Sequence, residues 1–270
     1  MAFTKAVCNA MQRIAPPVLA GSWDNIGLIL ESPVKNLEKR VLVTIDITPA
    51  VCDEAISRKI SMIVSYHPPI FGGLKSLTLA TPLQGTLLRC AAAGISVYSP
   101  HSALDGVFGG INDWLAACLD ANTKNVECLE TKPATEGIGG DGRRVTFDPP
   151  ISMEVLESRI KKNLSLSQIQ VGYSPVRPER LVSTVAICAG AGGSMFGALG
   201  RNADVWFTGE MQHHDVLAAV AAGTHVILCG HTNTERGYLP MLATKLRAEL
   251  DDPDVEVIVS QADAHPLQFV

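Results

Sequence analysis

The chain of 270 residues lacks several features that mark whole classes of protein. Its seven cysteines include no CxxC pair, which excludes the usual thiolate zinc spacing and a thioredoxin-like motif. An odd number of scattered cysteines in apolar contexts predicts reduced, buried thiols in a reducing compartment. No apolar run approaches membrane-spanning length, and no apolar stretch typical of a secretory signal opens the sequence. We therefore expect neither secretion nor a membrane partner.

Positive charge is also scarce, since the formal net charge is −5. The densest basic cluster, residues 177–180, is interrupted by Pro178 and Glu179, so a basic stripe that could follow a phosphate backbone is missing. We expect no nucleic-acid partner. Residues 1–14 fit a first amphipathic helix better than a mitochondrial presequence. The expected location is the cytoplasm, with the nucleus and mitochondria as alternatives.

What the sequence does contain is a repeated alternation of strands and helices. Apolar runs predict strands at 40–46, 61–65, 95–99, 181–188, 204–207, 225–229 and 255–259. Helical patterns between them cover 49–59, 83–93, 111–119, 211–222 and 237–250. This alternation predicts an α/β fold with mixed sheets flanked by helices.

Residues 126–178 interrupt the alternation. A loop rich in Gly, Thr and Pro at 131–142 precedes a strand, a helix at 152–163 and another strand. We interpret 126–178 as an excursion from the main sheet. The sequence then predicts one domain, 1–270, of two intimately packed lobes: a first lobe, 1–125, and a second lobe, 179–270, that completes the site.

Potential metal ligands follow three of the predicted strands. His67 follows one strand, His101 and Asp105 follow the next, and His231 and Glu235 follow a strand in the last third of the chain. Because ligands of open α/β sheets gather at the carboxyl ends of strands, these side chains are expected to converge. A His/Asp/Glu set suits Zn, Fe or Mn, and an incomplete set leaves room for a reactive water.

Each candidate also has an ordinary structural interpretation. His67, before Pro68-Pro69, is alternatively a polar turn residue, and Asp105 a helix cap. The spacing His231-x-x-x-Glu235 is the sharpest local signal. There Thr232 and Thr234 would cap the next helix, with Glu235 in its first turn.

Two further segments carry weaker signals. In residues 208–214, a Glu and the adjacent His213 and His214 are candidates for ligands, partners of ligands or a proton shuttle, although adjacent histidines rarely share one centre. The segment 190–194, Gly-Ala-Gly-Gly-Ser, is either an amide nest for an anion or a flexible turn. His225 and His265 are interpreted as structural.

Together these segments resemble the Nif-three-like family (NGG-one-interacting factor three), also labelled GTP cyclohydrolase I type 2-like. The resemblance covers nearly the whole chain, and its motifs occur in the family's order. They are Trp23-Asp24-Asn25-Ile26-Gly27-Leu28, His67-Pro68-Pro69, His101-Ser102-Ala103-Leu104-Asp105, Thr208-Gly209-Glu210-Met211-Gln212-His213-His214 and Gly230-His231-Thr232-Asn233-Thr234-Glu235.

The resemblance implies a dinuclear metal centre in an α/β fold and a ring-shaped hexamer built from dimers. By position, His67 and Asp105 would bind one ion, His231 would bind the second, and Glu235 would bridge both. His101 and the pair His213 and His214 would line the pocket as catalytic acid or base.

One position departs from the family pattern. Bacterial members have two adjacent histidines where this chain has Tyr66 and His67, so Tyr66 occupies a ligand position. A phenol with a pKa near 10 binds a divalent ion poorly unless it is deprotonated. The second ion is therefore expected to be weak, exchangeable or absent, which gives one or two ions per chain.

The resemblance implies a metal-dependent hydrolase of a small nucleotide or heterocyclic substrate. The alternatives are a non-enzymatic metal-binding protein that interacts with transcriptional adaptors, and a metal carrier. The expected partners are a small-molecule substrate, further copies of the chain in a dimer or hexamer, and a protein partner.

Overall fold

The computed structural model of the chain describes residues 2–120, 125–131, 133–199 and 203–267. It divides the chain into a first unit, Met1–Val107 with Tyr238–Val270, and a second unit, Phe108–Gly237. This division differs from the lobes drawn from the sequence, because the C-terminal segment folds with the N-terminal part.

The first unit is built around a five-stranded sheet with the order β1-β4-β3-β2-β11. Strand β1 is antiparallel to β4, and the other neighbours are parallel. Strands β3 and β4 are buried throughout, as expected for parallel strands covered on both faces. The strands are β1 (Gly27–Leu30), β2 (Arg40–Thr44), β3 (Met62–Ser65), β4 (Ser96–Ser99) and β11 (Glu256–Val259).

Five helices belong to the first unit within the described residues. Thr48 and Thr81 cap the second and third of these by accepting hydrogen bonds from backbone amides, each followed by a proline that suits the first helical turn. The N-terminal helix, expected to be amphipathic, packs against the C-terminal one. The helices are α1 (Ala2–Ile14), α2 (Pro49–Ser57), α3 (Pro82–Ala92), α4 (His101–Gly106) and α9 (Leu239–Leu250).

The second unit contains a six-stranded sheet with the order β5-β6-β8-β9-β10-β7. Its central strands β8, β9 and β10 are parallel, and the outer strands are antiparallel to their neighbours. The strands are β5 (Val126–Glu127), β6 (Arg143–Ser152), β7 (Gln170–Gly172), β8 (Leu181–Ala191), β9 (Val205–Glu210) and β10 (His225–Leu228). The helices are α5 (Ile111–Ala117), α6 (Met153–Asn163), α7 (Gly193–Leu199) and α8 (His213–Ala221).

The predicted α/β fold with mixed sheets is confirmed. Residues 126–178, interpreted as an excursion, instead supply β5, β6 and β7 to the sheet of the second unit. The hydrogen bonds that join β6 to β8 connect residues far apart in sequence, which local patterns do not reveal. No helix in the described part of the chain is both long and apolar enough to cross a membrane.

One local expectation is wrong. Glu235 does not lie in the first turn of a helix, because a 3-10 turn, His231–Thr234, ends at Glu235 and α9 begins only at Leu239. Pro240 near the start of α9 favours this later beginning. Thr234 caps no helix; its hydroxyl accepts a hydrogen bond from the amide of Gly190 on β8.

Candidate metal centre

The first unit places candidate residues at the carboxyl ends of three adjacent parallel strands. Asp46 follows β2, His67 follows β3 and His101 follows β4. His67 Nδ1 lies 2.9 Å from Asp46 Oδ1. Because a carboxylate only accepts hydrogen bonds, Nδ1 carries a proton, and in the neutral ring the lone pair is then on Nε2. Asp46 thus fixes both the orientation and the tautomer of His67.

His101 has the same arrangement with Asp24. The distance from His101 Nδ1 to Asp24 Oδ1 is 2.7 Å, and the Asp24 side chain is fully buried. Burial acts to raise the pKa of Asp24, but hydrogen bonds from His101 and Ser102 outweigh it, so the pKa lies below its usual value. Asp24 is therefore an ionised carboxylate that holds the His101 ring.

The His101 ring is surrounded by other rings of the first unit. Its centroid lies 5.4 Å from that of Tyr66, 5.6 Å from that of His67, 5.9 Å from that of Trp23 and 6.2 Å from that of Phe71. The backbone of His101 has φ +31°, a conformation that non-glycine residues rarely adopt. Such strain is often found at functional sites, where the surroundings impose it.

Tyr66 and Asp105, both predicted in the metal site, meet each other. The Tyr66 hydroxyl donates to Asp105 Oδ1 at 2.7 Å. Helix α4 places Asp105 one turn after His101, on the same side of the helix. Because the His101 ring lies next to the Tyr66 ring, Asp105 is within reach of the Tyr66 hydroxyl. A phenol that donates a hydrogen bond still carries its proton, so Tyr66 acts here as the partner of a carboxylate rather than as an anionic ligand.

The second unit repeats the arrangement at the carboxyl ends of its own parallel strands. Glu210 ends β9 and His231 follows β10. His231 Nδ1 lies 2.9 Å from Glu210 Oε1, and its Nε2 lies 3.3 Å from Oε1 of the buried Glu235. Glu235 raises the pKa of His231 to about 9, with Glu210 adding to the effect against the opposing effect of burial. These carboxylates favour positive charge at the ring, which either a proton or a cation supplies.

Gly190 gives the His231 and Glu235 side chains the space they occupy. It has φ +62°, and a Cβ added there would lie 2.7 Å from Glu235 Oε1 and 2.9 Å from His231 Nε2. Any other residue would therefore displace both side chains. Within the segment 190–194, the backbone of Gly190 thus lies against the side chains of His231 and Glu235, and Gly193 begins α7.

The Duf34/NIF3 (NGG1p interacting factor 3) family model matches residues 3–266. The chain belongs to this family.

Relatives of similar sequence agree with this membership. The protein NIF3 homolog of Schizosaccharomyces pombe is 44% identical over 267 residues, which cover 96% of this chain and 95% of that protein. The NGG1-interacting factor 3 of Saccharomyces cerevisiae is 38% identical, over 91% of this chain and 89% of that protein. The resemblance drawn from five short motifs is confirmed.

Structural comparison extends the likeness to more distant proteins. The Bacillus cereus protein related to NIF3 superposes with a TM-score of 0.85 at 20% identity and covers 98% of both chains. Reduced HcgD from Methanocaldococcus jannaschii superposes with a TM-score of 0.79 at 24% identity, over 96% of this chain and 97% of that chain. At these identities the likeness shows a shared NIF3 fold.

The remaining candidate histidines have different environments. His213 and His214 are exposed at the start of α8, and the centroids of their rings lie 5.3 Å apart. Their catalytic role stays a prediction. His225 is fully buried in β10 and its Nδ1 accepts a hydrogen bond from the Ser174 amide, so it has the structural role expected of it.

Sequence reasoning missed the carboxylates that hold the histidines. In the sequence, Asp46 ends a predicted strand, Asp24 lies within the motif at 23–28, and Glu210 lies within the segment 208–214. A signal did exist for Asp46 and Glu210, because both stand at the carboxyl ends of predicted parallel strands, as the candidate histidines do. Asp24 lies far from His101 in sequence and had no comparable signal.

Proposed function

We propose that this NIF3-family chain is a metal-dependent hydrolase of a small heterocyclic or nucleotide substrate. One divalent ion would be bound by the group His67, His231 and Glu235. The observation that supports this most directly is that Nδ1 of each histidine is held by a carboxylate, Asp46 or Glu210. Metal-binding histidines in proteins usually have such a partner, since it aims the other nitrogen at the ion.

The chemistry of the donor set fits this proposal. Two imidazole nitrogens and a carboxylate oxygen suit Zn, Fe or Mn, and three protein ligands leave a position for water or substrate. Cys229 is close in sequence to His231, but burial raises the pKa of its thiol to about 12. The ligand group found among the described residues is His67, His231 and Glu235 and includes no cysteine.

An ion held there would lower the pKa of a bound water and polarise the substrate. The protein's own groups would move the proton. His101, held through Nδ1 by Asp24, presents Nε2 as an acceptor, which makes it the preferred general base. His213 and His214 are alternative acids or bases.

The resemblance implies two ions bridged by Glu235, one on His67 and Asp105 and the other on His231, whereas the three-residue group uses both histidines for one ion. A second ion would therefore depend on Asp105. The hydrogen bond from Tyr66 delocalises part of the negative charge of Asp105, and Tyr66 supplies no imidazole. We therefore expect the second ion to bind more weakly than the first. Assembly into a dimer or hexamer belongs to the same proposal and is measurable by light scattering.

Metal content and turnover test the proposal together. Elemental analysis of the purified chain should find about one ion, and His67→Ala and His231→Ala should each remove that ion. Glu235→Gln should abolish turnover of heterocyclic amides or nucleotides while the chain stays folded. Full metal content in both alanine variants, or unchanged turnover in Glu235→Gln, would contradict the proposal.

A second candidate is an interaction protein in which the ion only stabilises the fold. It is favoured by the name of the Saccharomyces cerevisiae relative, NGG1-interacting factor 3. On this hypothesis removal of the ion lowers the melting temperature and weakens partner binding, and no activity is lost. A metal carrier would instead transfer the ion to an acceptor chelator within minutes.

A further inference from the structure

An apolar cavity of about 560 Å³ opens beside His67, entirely within the first unit. Its walls are mostly aliphatic and aromatic, including Ile47, Phe71, Leu74 and Leu83. Asp46 and His67 are the only ionisable side chains among the described residues that line it. The cavity thus has an apolar body and one polar end, where the Asp46–His67 pair lies.

The side chains that line this cavity are unsuited to a polyphosphate chain. Proteins bind phosphate groups with arginine, lysine or clusters of backbone amides. No lysine or arginine is among the described residues of the wall, and the carboxylate of Asp46 would repel an anion. Pro68 and Pro69 also remove two backbone amide donors from the loop that follows β3.

We propose that this cavity binds the body of the substrate and selects uncharged compounds with an aliphatic or aromatic body, whose polar reacting group faces His67. The volume lies within the range of small-molecule sites. This inference rests on the proposed function, since His67 is one of the metal ligands there. The substrates expected in this cavity are therefore amides, esters or heterocycles that carry an apolar group. Nucleoside triphosphates are not expected to bind in it.

Phe71 extends the apolar wall toward His101. Its side chain is 57% exposed, and its ring lies 6.1 Å from that of Trp23, which is 64% exposed. Gly21 makes room for the indole, because a Cβ at this position would lie 2.5 Å from the Trp23 ring nitrogen. Two large aromatic side chains thus remain in contact with solvent beside the His101 ring, where a substrate ring can pack against them.

A pair of hydroxamates tests the cavity in the metal-loaded full chain. Acetohydroxamate and benzohydroxamate share a metal-binding head and differ in their apolar body. Calorimetric titration with Zn²⁺ bound should show benzohydroxamate at least about tenfold tighter, as expected for burial of a phenyl ring. Excess GTP should not displace it.

Leu83→Lys supplies the matched variant. Leu83 lines the cavity and is partly exposed, so a lysine there places a charge in the wall without filling the core. Benzohydroxamate affinity should fall at least about tenfold, while acetohydroxamate affinity stays unchanged. The control is Leu79→Lys, because Leu79 is exposed in the loop just before α3 and does not line the cavity. It should alter neither affinity.

A probe that binds no metal separates this inference from the proposed function. 4-Fluorobenzamide should bind the chelator-treated protein, which is seen as broadening of its fluorine resonance, and Leu83→Lys should abolish the effect. If broadening occurs but no metal binds, the hydrolase proposal fails and the cavity proposal stands. Absence of broadening, equal affinity for the two hydroxamates, or displacement by GTP would overturn the cavity proposal.

Discussion

The phenolic hydroxyl of Tyr66 donates a hydrogen bond to the carboxylate of Asp105 across 2.7 Å. Where a second imidazole would add a ligand, this chain has a neutral donor that engages an acidic ligand candidate. A tyrosine instead of a histidine at position 66 therefore affects two ligand positions. It removes a nitrogen ligand at position 66, and its hydrogen bond reduces the charge that Asp105 presents to an ion.

Tyr66→His should increase the affinity of a second metal ion. The imidazole supplies a nitrogen ligand and ends the hydrogen bond to Asp105, so the measured stoichiometry should rise toward two ions per chain at micromolar Zn²⁺. Tyr66→Phe is the control, because it removes the hydrogen bond and adds no ligand. The assignment of Tyr66 to a ligand position fails if Tyr66→His and Tyr66→Phe show the same metal content.

Asp46→Asn and Glu210→Gln should each weaken binding of the first ion by about 10- to 100-fold. Each change removes the carboxylate that holds Nδ1 of a candidate ligand, His67 or His231, while the ligand itself remains. Competition with a fluorescent zinc chelator measures the affinity.

Glu249→Gln is a suitable control for both variants, because Glu249 forms an exposed ion pair with Arg13 on α1. Its metal affinity should equal that of the unmodified chain. Equal affinity in Asp46→Asn as well would show that His67 needs no carboxylate partner.

Gly190→Ala should abolish metal binding and destabilise the second unit. The added methyl would lie within 3 Å of both His231 and Glu235, and the residue would have to keep φ +62°. Strain of this kind costs about 1–3 kcal/mol. Urea unfolding and zinc titration measure the two effects. Gly197→Ala, where nothing lies within 4 Å of the new methyl, should leave metal binding intact.

Metal binding should release about one proton from His231 at pH 7.5. Its pKa of about 9 means that the ring is protonated in the metal-free chain at this pH, and an ion must replace that proton. Calorimetric enthalpies in two buffers of different ionisation enthalpy give the number released. The release should decline as the pH rises through 9. A binding enthalpy that is the same in both buffers would contradict this expectation.

His225 should make the stability depend on pH in the window just below 6.5. Burial lowers the pKa of His225, and Arg177 and Arg180 lower it further against the opposing effect of Asp204. In this window the unfolded chain therefore binds more protons than the folded chain. The free energy of unfolding consequently falls as the pH drops below 6.5. Urea midpoints at pH 5 and 6.5 measure the change.

His225→Asn should make this dependence shallower. The amide oxygen of asparagine can still accept the hydrogen bond from the Ser174 amide, but the side chain no longer titrates. Parallel pH profiles in the two proteins would assign the dependence to other groups.

Most strands and helices were predictable because their patterns are local. The buried parallel strands β3 and β4 are short apolar runs, and the residues that follow them, His67 and His101, could be recognised as strand-end ligands from the sequence alone. The predicted starts of α2 and α3, at 49 and 83, lie within one residue of the observed ones.

The parts that escaped prediction depend on contacts between distant residues. Glu235 follows a 3-10 turn whose Thr234 binds Gly190 on another strand, and no local pattern near Glu235 reports that contact. Asp24 meets His101 only after folding. The boundary between the units depends on the pairing of β11 with β2, which joins residues that lie on either side of the second unit in the sequence.

This pairing has a consequence for the newly made chain on the ribosome. The second unit, Phe108–Gly237, is translated before β11, whereas the sheet of the first unit waits for this edge strand. Until then β2 presents an open hydrogen-bonding edge to its surroundings. A premature stop just before Glu256 would leave that edge permanently exposed, so we expect such a product to aggregate or be degraded even though it retains every residue assigned here to the metal.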